Sequence, residues 1–328
     1  MPVRVGLIGC GIISGAHLDA WQACAPRGRI VAVADPDPEK ANRAAEKAPG
    51  ARVFTDHRAL LADPDIDAVD LCLPHHLHRA VTEEALTAGK HVLCEKPIAN
   101  TLAEADAMIA AAERAGRVLL IAEQMRYEGT VPAARARLAA GDIGEVLVAQ
   151  ATMGWFQGGV YLQSEWRLDA VLGGGGALID GGHHWVDLLL NLLGEPKEVT
   201  AMTRRVRPCY GGEDIAVVTA RFASGVVGTL TVCSSTHRYG TPIFVIMGTE
   251  GQIVGYWDRI EVRAEGLPDG RLEQPIERRH GFQAEMNDFL DAVLDGAVPK
   301  SGGREARADL AFILAAYESA ATGVTVRL

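Results

Sequence analysis

Across residues 1–123, short apolar runs rich in β-formers alternate with helical stretches, and this alternation limits the architecture of the chain more than anything else in it. The runs are VRVGLIG (3–9), RIVAVAD (29–35), ARVFT (51–55), AVDLCLP (68–74), HVLCEKP (91–97) and VLLIAEQ (118–124). Between them lie stretches such as PEKANRAAEKA and TLAEADAMIAAAERAG. In the second of these, Thr101 followed three residues on by Glu104 predicts a capping box at a helix start. Runs this apolar suit strands buried on both faces, so the pattern predicts a parallel, doubly wound α/β sheet.

Beyond residue 124 the pattern changes. A helix is predicted over 177–194, then alternating strands at 198–206, 214–223, 226–235, 243–248 and 252–264, then helices near 281–295 and 304–322. Period-two alternation at hairpin spacing points to a mostly antiparallel sheet in an α+β domain. A chain of 328 residues exceeds what one core usually supports. The expected organisation is a dinucleotide-binding domain at 1–123 and a second domain at 124–328, with chemistry between them.

Three places carry chemistry in the first domain. GLIGCGIISGAH puts Gly9, Gly11 and Ser14 in a G-x-G-x-x-small spacing directly after a strand and at the start of a helix, with Ile12 and Ile13 in the turn. Such a turn lets backbone approach a pyrophosphate whose charge the helix N-terminus stabilises. Asp35 ends the second run, where a carboxylate can accept hydrogen bonds from both ribose hydroxyls. It would repel a 2′-phosphate, and no arginine directly follows it, so NAD is expected over NADP.

Leu73, Pro74, His75, His76 and His78 follow the fourth strand, at the crevice where open α/β sheets bind ligands. The three histidines raise a zinc reading and a helix-capping reading; with no cysteine or carboxylate completing a local ligand set, no metal is expected. Glu95 and Lys96 end the fifth strand. Bare charges are expensive to bury, so a functional pair at the crevice is expected, with a surface ion pair as the plain alternative. Pro97 restricts the backbone of Lys96.

In the second domain, ALIDGGHHWVDLLLNLLG (177–194) joins an apolar helix to an aspartate, two glycines and two histidines. Two helix-interior glycines cost about 2 kcal/mol relative to alanine, which is reasonable where substrate and nicotinamide must come close to the backbone. Residues three and four apart share a helix face, so Asp180 reaches either His183 or His184, and spacing does not choose between them.

Charge and composition exclude several classes. The net charge of −10 with no basic run opposes nucleic-acid binding, and no apolar run reaches the length of a membrane helix. Six cysteines at 10, 24, 72, 94, 209 and 233 lack metal spacing and read as reduced thiols used as small core residues. The opening segment lacks the features of a secretory leader, so a cytoplasmic protein is expected.

The glycine turn, LPHHLH, EKP, DGGHHWVD and the closing GFQAEMNDFLDAVLDG and LAAYESAATG together resemble the glucose-fructose oxidoreductase and inositol dehydrogenase family, Gfo/Idh/MocA. The resemblance runs in order along essentially the whole chain. It implies a Rossmann domain followed by a domain with a large open sheet that often forms an oligomer interface, hence a homodimer or homotetramer. It implies NAD-dependent oxidation of a secondary hydroxyl of a sugar, amino sugar or cyclitol. By the same resemblance Lys96 is the catalytic lysine, and Asp180 and His184 are the D-x-x-x-H pair. It also brings Gln124, Trp166 and Arg167 toward the cofactor, and Arg126, Arg167 and His183 toward substrate.

The chemistry expected is hydride transfer to NAD, with His184 taking the hydroxyl proton and Lys96 stabilising the alkoxide-like oxygen. Two alternatives differ in outcome: a hydrolase or eliminase working through transient oxidation at a retained NAD, and a non-catalytic NAD sensor. Glu123, Glu128, Glu165 and Asp169 make a cationic amino sugar conceivable, beside the commoner explanation of a solvated acidic face.

Overall fold

The computed structural model describes residues 1–156, 164–207, 211–237, 242–276 and 281–328. Cys209 lies outside the described residues. The chain divides into two compact units, Met1–Gln124 with His280–Arg307, and Met125–Arg279 with Ala308–Leu328. In chain order the helices are α1 (Ser14–Ala23), α2 (Pro38–Glu46), α3 (His57–Leu61), α4 (His78–Thr87), α5 (Leu102–Ala115), α6 (Thr130–Ala139), α7 (Glu165–Leu168), α8 (Ala170–Gly173), α9 (His183–Leu193), α10 (Gly281–Asp295) and α11 (Gly303–Thr322).

The first unit is built on six parallel strands: β1 (Val3–Ile8), β2 (Gly28–Ala34), β3 (Arg52–Phe54), β4 (Ala68–Leu71), β5 (His91–Glu95) and β6 (Leu119–Ala122). Their order is β3-β2-β1-β4-β5-β6. Every residue of β4 and β6 is buried, as the apolar runs predict for a sheet covered on both sides. The order reverses between β1 and β4, which opens a crevice at the carboxyl ends of those strands. Thr101 and Glu104 form the expected capping box at α5.

Helix α10 comes from far along the sequence to complete this core. Met286, Phe289 and Leu290 join the cluster of Val5, Leu7, Trp21, Val33 and Leu93, and Phe289 meets Trp21 edge-on at 6.2 Å. The free edge of β6 is covered by Ser301 and Gly302: the Ile121 N–H donates to Ser301 O at 2.8 Å.

The second unit carries a nine-stranded sheet. Its strands are β7 (Val146–Gly154), β8 (Pro196–Arg204), β9 (Ile215–Phe222), β10 (Val227–Cys233), β11 (Phe244–Gly248), β12 (Gly251–Gly255), β13 (Arg259–Ala264), β14 (Arg271–Pro275) and β15 (Val326–Arg327). The order is β14-β13-β12-β11-β7-β10-β9-β8-β15, and every neighbouring pair is antiparallel except β7 with β10. One face is buried, with Val218, Ala220, Leu230, Val232 and Met153 on it, and α9, whose Trp185, Val186 and Leu189 are buried, packs against β7 and β10.

Three points of the expected pattern need correction here. The run 252–264 is two strands, broken at Tyr256–Asp258, and β7 has no counterpart among the predicted strands. The inward residues of β7 are Ala149, Ala151 and Met153, side chains with little strand preference, so its alternation is faint although it sits at the centre of the sheet. The helix expected over 177–194 begins only at His183; residues 177–182 are turns.

Candidate functional site

In the first unit the chain leaves β1 through Gly9, whose φ of +91° is one that a side chain rarely tolerates; a Cβ there would lie 2.4 Å from Cys72 O. Gly11 differs. A Cβ on Gly11 would meet nothing within 4 Å, so no contact among the described residues explains the lack of a side chain. Ile12 is half exposed and Ile13 stands at the N-cap of α1, which the Ser14 hydroxyl tightens by donating to Gly11 O at 2.7 Å. This is the open backbone approach to a helix N-terminus that a pyrophosphate requires.

Asp35 lies just past β2 and is nearly buried. It accepts the Cys10 N–H on Oδ2 at 2.8 Å and the Asp37 N–H on Oδ1 at 2.9 Å, which locks it against the glycine turn. A carboxylate offers about four lone-pair sites, so two remain for a ribose. Burial beside this carboxylate pushes the Cys10 thiol up to about 12, leaving it protonated. Together, Gly9, Gly11, Asp35 and the start of α1 fit the adenosine and pyrophosphate parts of a dinucleotide.

Past β4, Leu73 and Pro74 are partly buried, His75 is buried and His76 is exposed. His78, expected on the cofactor, is wholly buried with Nδ1 2.8 Å from Pro97 O and Nε2 2.9 Å from Leu73 O. Burial lowers its pKa, against the smaller opposing effect of the two carbonyls. Both ring nitrogens face backbone, so His78 braces the carboxyl end of β4 against that of β5.

Glu95, also expected on the cofactor, stands among charged groups. It is buried, with Oε1 2.9 Å from His17 Nε2 and Oε2 accepting the Lys96 N–H at 3.2 Å. Lys96 itself is partly buried and joined to Pro97 by a cis peptide. Glu123, counted among candidate acids, is 1% exposed at the end of β6, and Gln124 follows it partly buried. His17 and Asp70, which the sequence reading passed over, form the centre of this buried group.

In the second unit, Asp180 lies in the turn that precedes α9, so no helical i,i+4 relation links it to His184. Asp180 Oδ2 accepts from Arg167 Nε at 3.1 Å, and the Arg167 guanidinium stacks 4.2 Å from the Trp166 ring centre. His183 is completely buried, whereas His184 is partly exposed; of the two histidines, only His184 presents surface to a ligand. Arg126 follows a comparable pattern: its Nε donates to Asp187 Oδ1 at 3.0 Å, tying it to the buried face of α9. Asp169 caps α8, accepting the Val171 N–H at 2.7 Å and the Leu172 N–H at 3.2 Å, so this acid acts locally.

Gly182, the second of the two glycines before α9, is explained by packing. A Cβ on Gly182 would lie 2.7 Å from Leu178 O and 2.9 Å from Val232 Cγ2, so the turn and β10 require glycine there irrespective of substrate. Below the same turn, Glu213 and Tyr317 form a buried brace. Glu213 Oε1 accepts from the Leu178 N–H at 2.8 Å and from the Tyr317 hydroxyl at 3.0 Å; that hydroxyl in turn accepts from Gly176 and Ile179 N–H, each at 3.2 Å. Burial raises the pKa of Glu213 and holds Tyr317 well above its ordinary value. Neither was singled out in the sequence, because each lies far along the chain from the turn that it supports.

Comparison with known proteins agrees with these features. A family model described as "Oxidoreductase family, NAD-binding Rossmann fold" matches residues 3–123, and the GFO/IDH/MocA C-terminal domain matches residues 131–254. The chain is 31% identical over 342 residues to D-apiose dehydrogenase of Paraburkholderia graminis, covering 98% of this chain and 88% of that protein. It is 32% identical over 298 residues to levoglucosan dehydrogenase of Pseudarthrobacter phenanthrenivorans, covering 78% and 74%. The crystal structure of the WlbA dehydrogenase from Bordetella pertussis in complex with NADH and UDP-GlcNAcA matches with a TM-score of 0.90 at 28% identity, over 100% of this chain and 98% of that one. No helix among the described residues is long and apolar enough to cross a membrane. Two family domains matched in order, with relatives aligned over nearly all of both chains, establish that this protein belongs to the GFO/IDH/MocA oxidoreductases and that its first unit is their NAD-binding Rossmann fold.

Proposed function

We propose that this protein oxidises a secondary hydroxyl of a neutral sugar or cyclitol to a ketone, with Lys96, Asp180 and His184 as the reacting group of residues. The observation that carries the reading is Gly11, left bare where the glycine turn meets α1, with Lys96 at the end of β5 in the same unit. The relatives' names support the substrate class, being dehydrogenases of apiose and of levoglucosan.

NAD, when bound, supplies the hydride acceptor. The Lys96 ammonium stabilises the oxygen as it gains negative charge, and the His184 imidazole accepts the hydroxyl proton. Asp180, held by Arg167, keeps a carboxylate in the segment that leads into His184 and favours the imidazolium that forms. A neutral substrate is preferred over a cationic one because, of the acids that suggested a cation, Glu123 is buried and Asp169 caps α8.

We further infer a homodimer or homotetramer joined through the outward face of the nine-stranded sheet. Met202 is 78% and Val217 47% exposed on that face, among threonines and glutamine that suit a close contact. A cytoplasmic location and the absence of a nucleic-acid partner rest on the described cysteines being free thiols and on the net charge of −10.

The test is a screen of purified protein plus NAD against pentoses, hexoses, anhydrosugars, amino sugars and cyclitols, read by NADH absorbance. The reading expects net NADH with at least one neutral polyol. Cleaved sugar with no net NADH would instead identify chemistry at a retained cofactor, and NAD binding without turnover on any polyol would leave a sensor.

A further inference from the structure

We propose that His17 is a positioning residue for Lys96, acting through Glu95. The inference rests on the reading of Lys96 as a reacting group, and it concerns a buried cluster beneath the crevice that no cofactor or substrate contact requires.

His17 lies on α1, wholly buried, with a carboxylate on each ring nitrogen. Nδ1 is 3.0 and 2.9 Å from the two oxygens of Asp70, and Nε2 is 2.9 Å from Glu95 Oε1. Only the imidazolium donates from both nitrogens at once. Burial opposes that charge, but the Asp70 carboxylate outweighs it and holds the pKa well above the ordinary imidazole value. Asp70 is itself held by the Trp21 indole N–H at 2.8 Å and by the Cys72 thiol at 3.8 Å, a thiol that burial keeps protonated.

The consequence falls on Glu95. Asp70 and Glu95 stand on the adjacent strands β4 and β5, and one cation between them fixes both side chains. With Oε1 directed to His17, Oε2 is left to accept the backbone N–H of Lys96. One carboxylate therefore couples a rigid ring in α1 to the peptide that carries the ammonium. Apolar residues would fill this volume without the penalty of burying three charges, and replacing buried ion groups in that way is often neutral or stabilising. What they would lack is the directional hold on the residue after β5.

Glu285, from α10, borders the same group and supplies a control. It is wholly buried, neither carboxyl oxygen has a hydrogen-bond partner among the described residues, and burial beside Asp70, Glu95 and Glu123 keeps it protonated. Glu285→Gln therefore replaces a neutral acid by a neutral amide without altering what holds Glu95.

The experiment measures kcat per NADH-binding site, substrate KM, NADH affinity and melting temperature for His17→Gln, Glu95→Ala, Glu95→Gln, Glu285→Gln and Lys96→Ala. Misplacing a reacting group by about 1 Å can lower rate about 100-fold. His17→Gln and Glu95→Ala are expected to lose about 10- to 100-fold in kcat per site, with KM and NADH affinity within about 3-fold of wild type. Glu95→Gln offers one oxygen to two donors and is expected to lose kcat per site as His17→Gln does, while Glu285→Gln stays within about 2-fold of wild type. The proposal is overturned if His17→Gln and Glu95→Ala keep wild-type kcat per site, or if Glu285→Gln falls as far as they do. If His17→Gln does not fold, wild-type kcat per site in both Glu95→Ala and Glu95→Gln overturns it alone. An inactive Lys96→Ala beside active His17→Gln and Glu95→Ala refutes the positioning role and leaves the Lys96 reading standing, whereas an active Lys96→Ala refutes both.

Discussion

Asp35 shows how one side chain can serve two ends. Its oxygens already hold the Cys10 and Asp37 N–H groups, so the carboxylate is oriented before any nucleotide arrives. Asp35→Ala removes that orientation along with the acceptor, and hydrogen bonds to a charged group are worth about 1.5–3 kcal/mol. NADH affinity by fluorescence titration should fall about 10- to 100-fold, with NADPH affected less because the like charge is gone. An unchanged NADH affinity would remove Asp35 from the nucleotide site. Tyr317 works at longer range: Tyr317→Phe leaves the Gly176 and Ile179 N–H groups and Glu213 short of a partner, a loss of about 1–3 kcal/mol. At roughly 2–4 °C per kcal/mol, the melting temperature should drop by several degrees; no drop would mean that the brace carries no stability.

At the scale of the element, the short segment before α9 is where pattern reading and packing diverge. DGGHHWVD has the composition of a helix start and spacing that brings Asp180 and His184 onto one face, yet the chain spends residues 180–182 in turns and the helix begins at His183. The reason is steric and local to the fold: Gly182 sits against the Leu178 backbone and Val232, a contact between segments about fifty residues apart that no helix periodicity encodes. Gly182→Ala forces that backbone to shift, at a cost of about 1–3 kcal/mol for overpacking. Thermal melting should register a fall of several degrees, whereas tolerance of alanine would return the glycine to a role in substrate approach. Elsewhere the elements were legible because strand, glycine turn and helix come in an order that fixes where a crevice must open. The His17–Asp70–Glu95 group was not. Its members stand 53 and 78 residues apart, and the signs were Glu95 at the end of an apolar run and an aspartate inside the otherwise apolar run AVDLCL, where an acid is costly without a partner.

For the whole molecule, the parallel sheet was readable end to end because its strands are mostly apolar, and the mostly antiparallel sheet because β9 and β10 alternate cleanly. β7 and β14 escaped: the first hides behind alanines, the second is a polar edge strand of alternating charge. The outward face of that sheet yields its own prediction. If the proposed oligomer forms there, Met202→Glu with Val217→Arg should yield a monomer by light scattering, and an unchanged mass would move the interface elsewhere.

The central claim is that a sugar carbon gives its hydride to NAD through groups contributed by Lys96 and His184. The most direct test uses a substrate from the NADH screen, deuterated at the carbinol carbon, with wild type, Lys96→Ala and His184→Ala. The account predicts deuterium in the NADH and a loss of about 10²- to 10⁴-fold in turnover for His184→Ala, with a comparable loss for Lys96→Ala, while both variants still bind NADH. Deuterium lost to water, or either variant turning over at the wild-type rate, would contradict it.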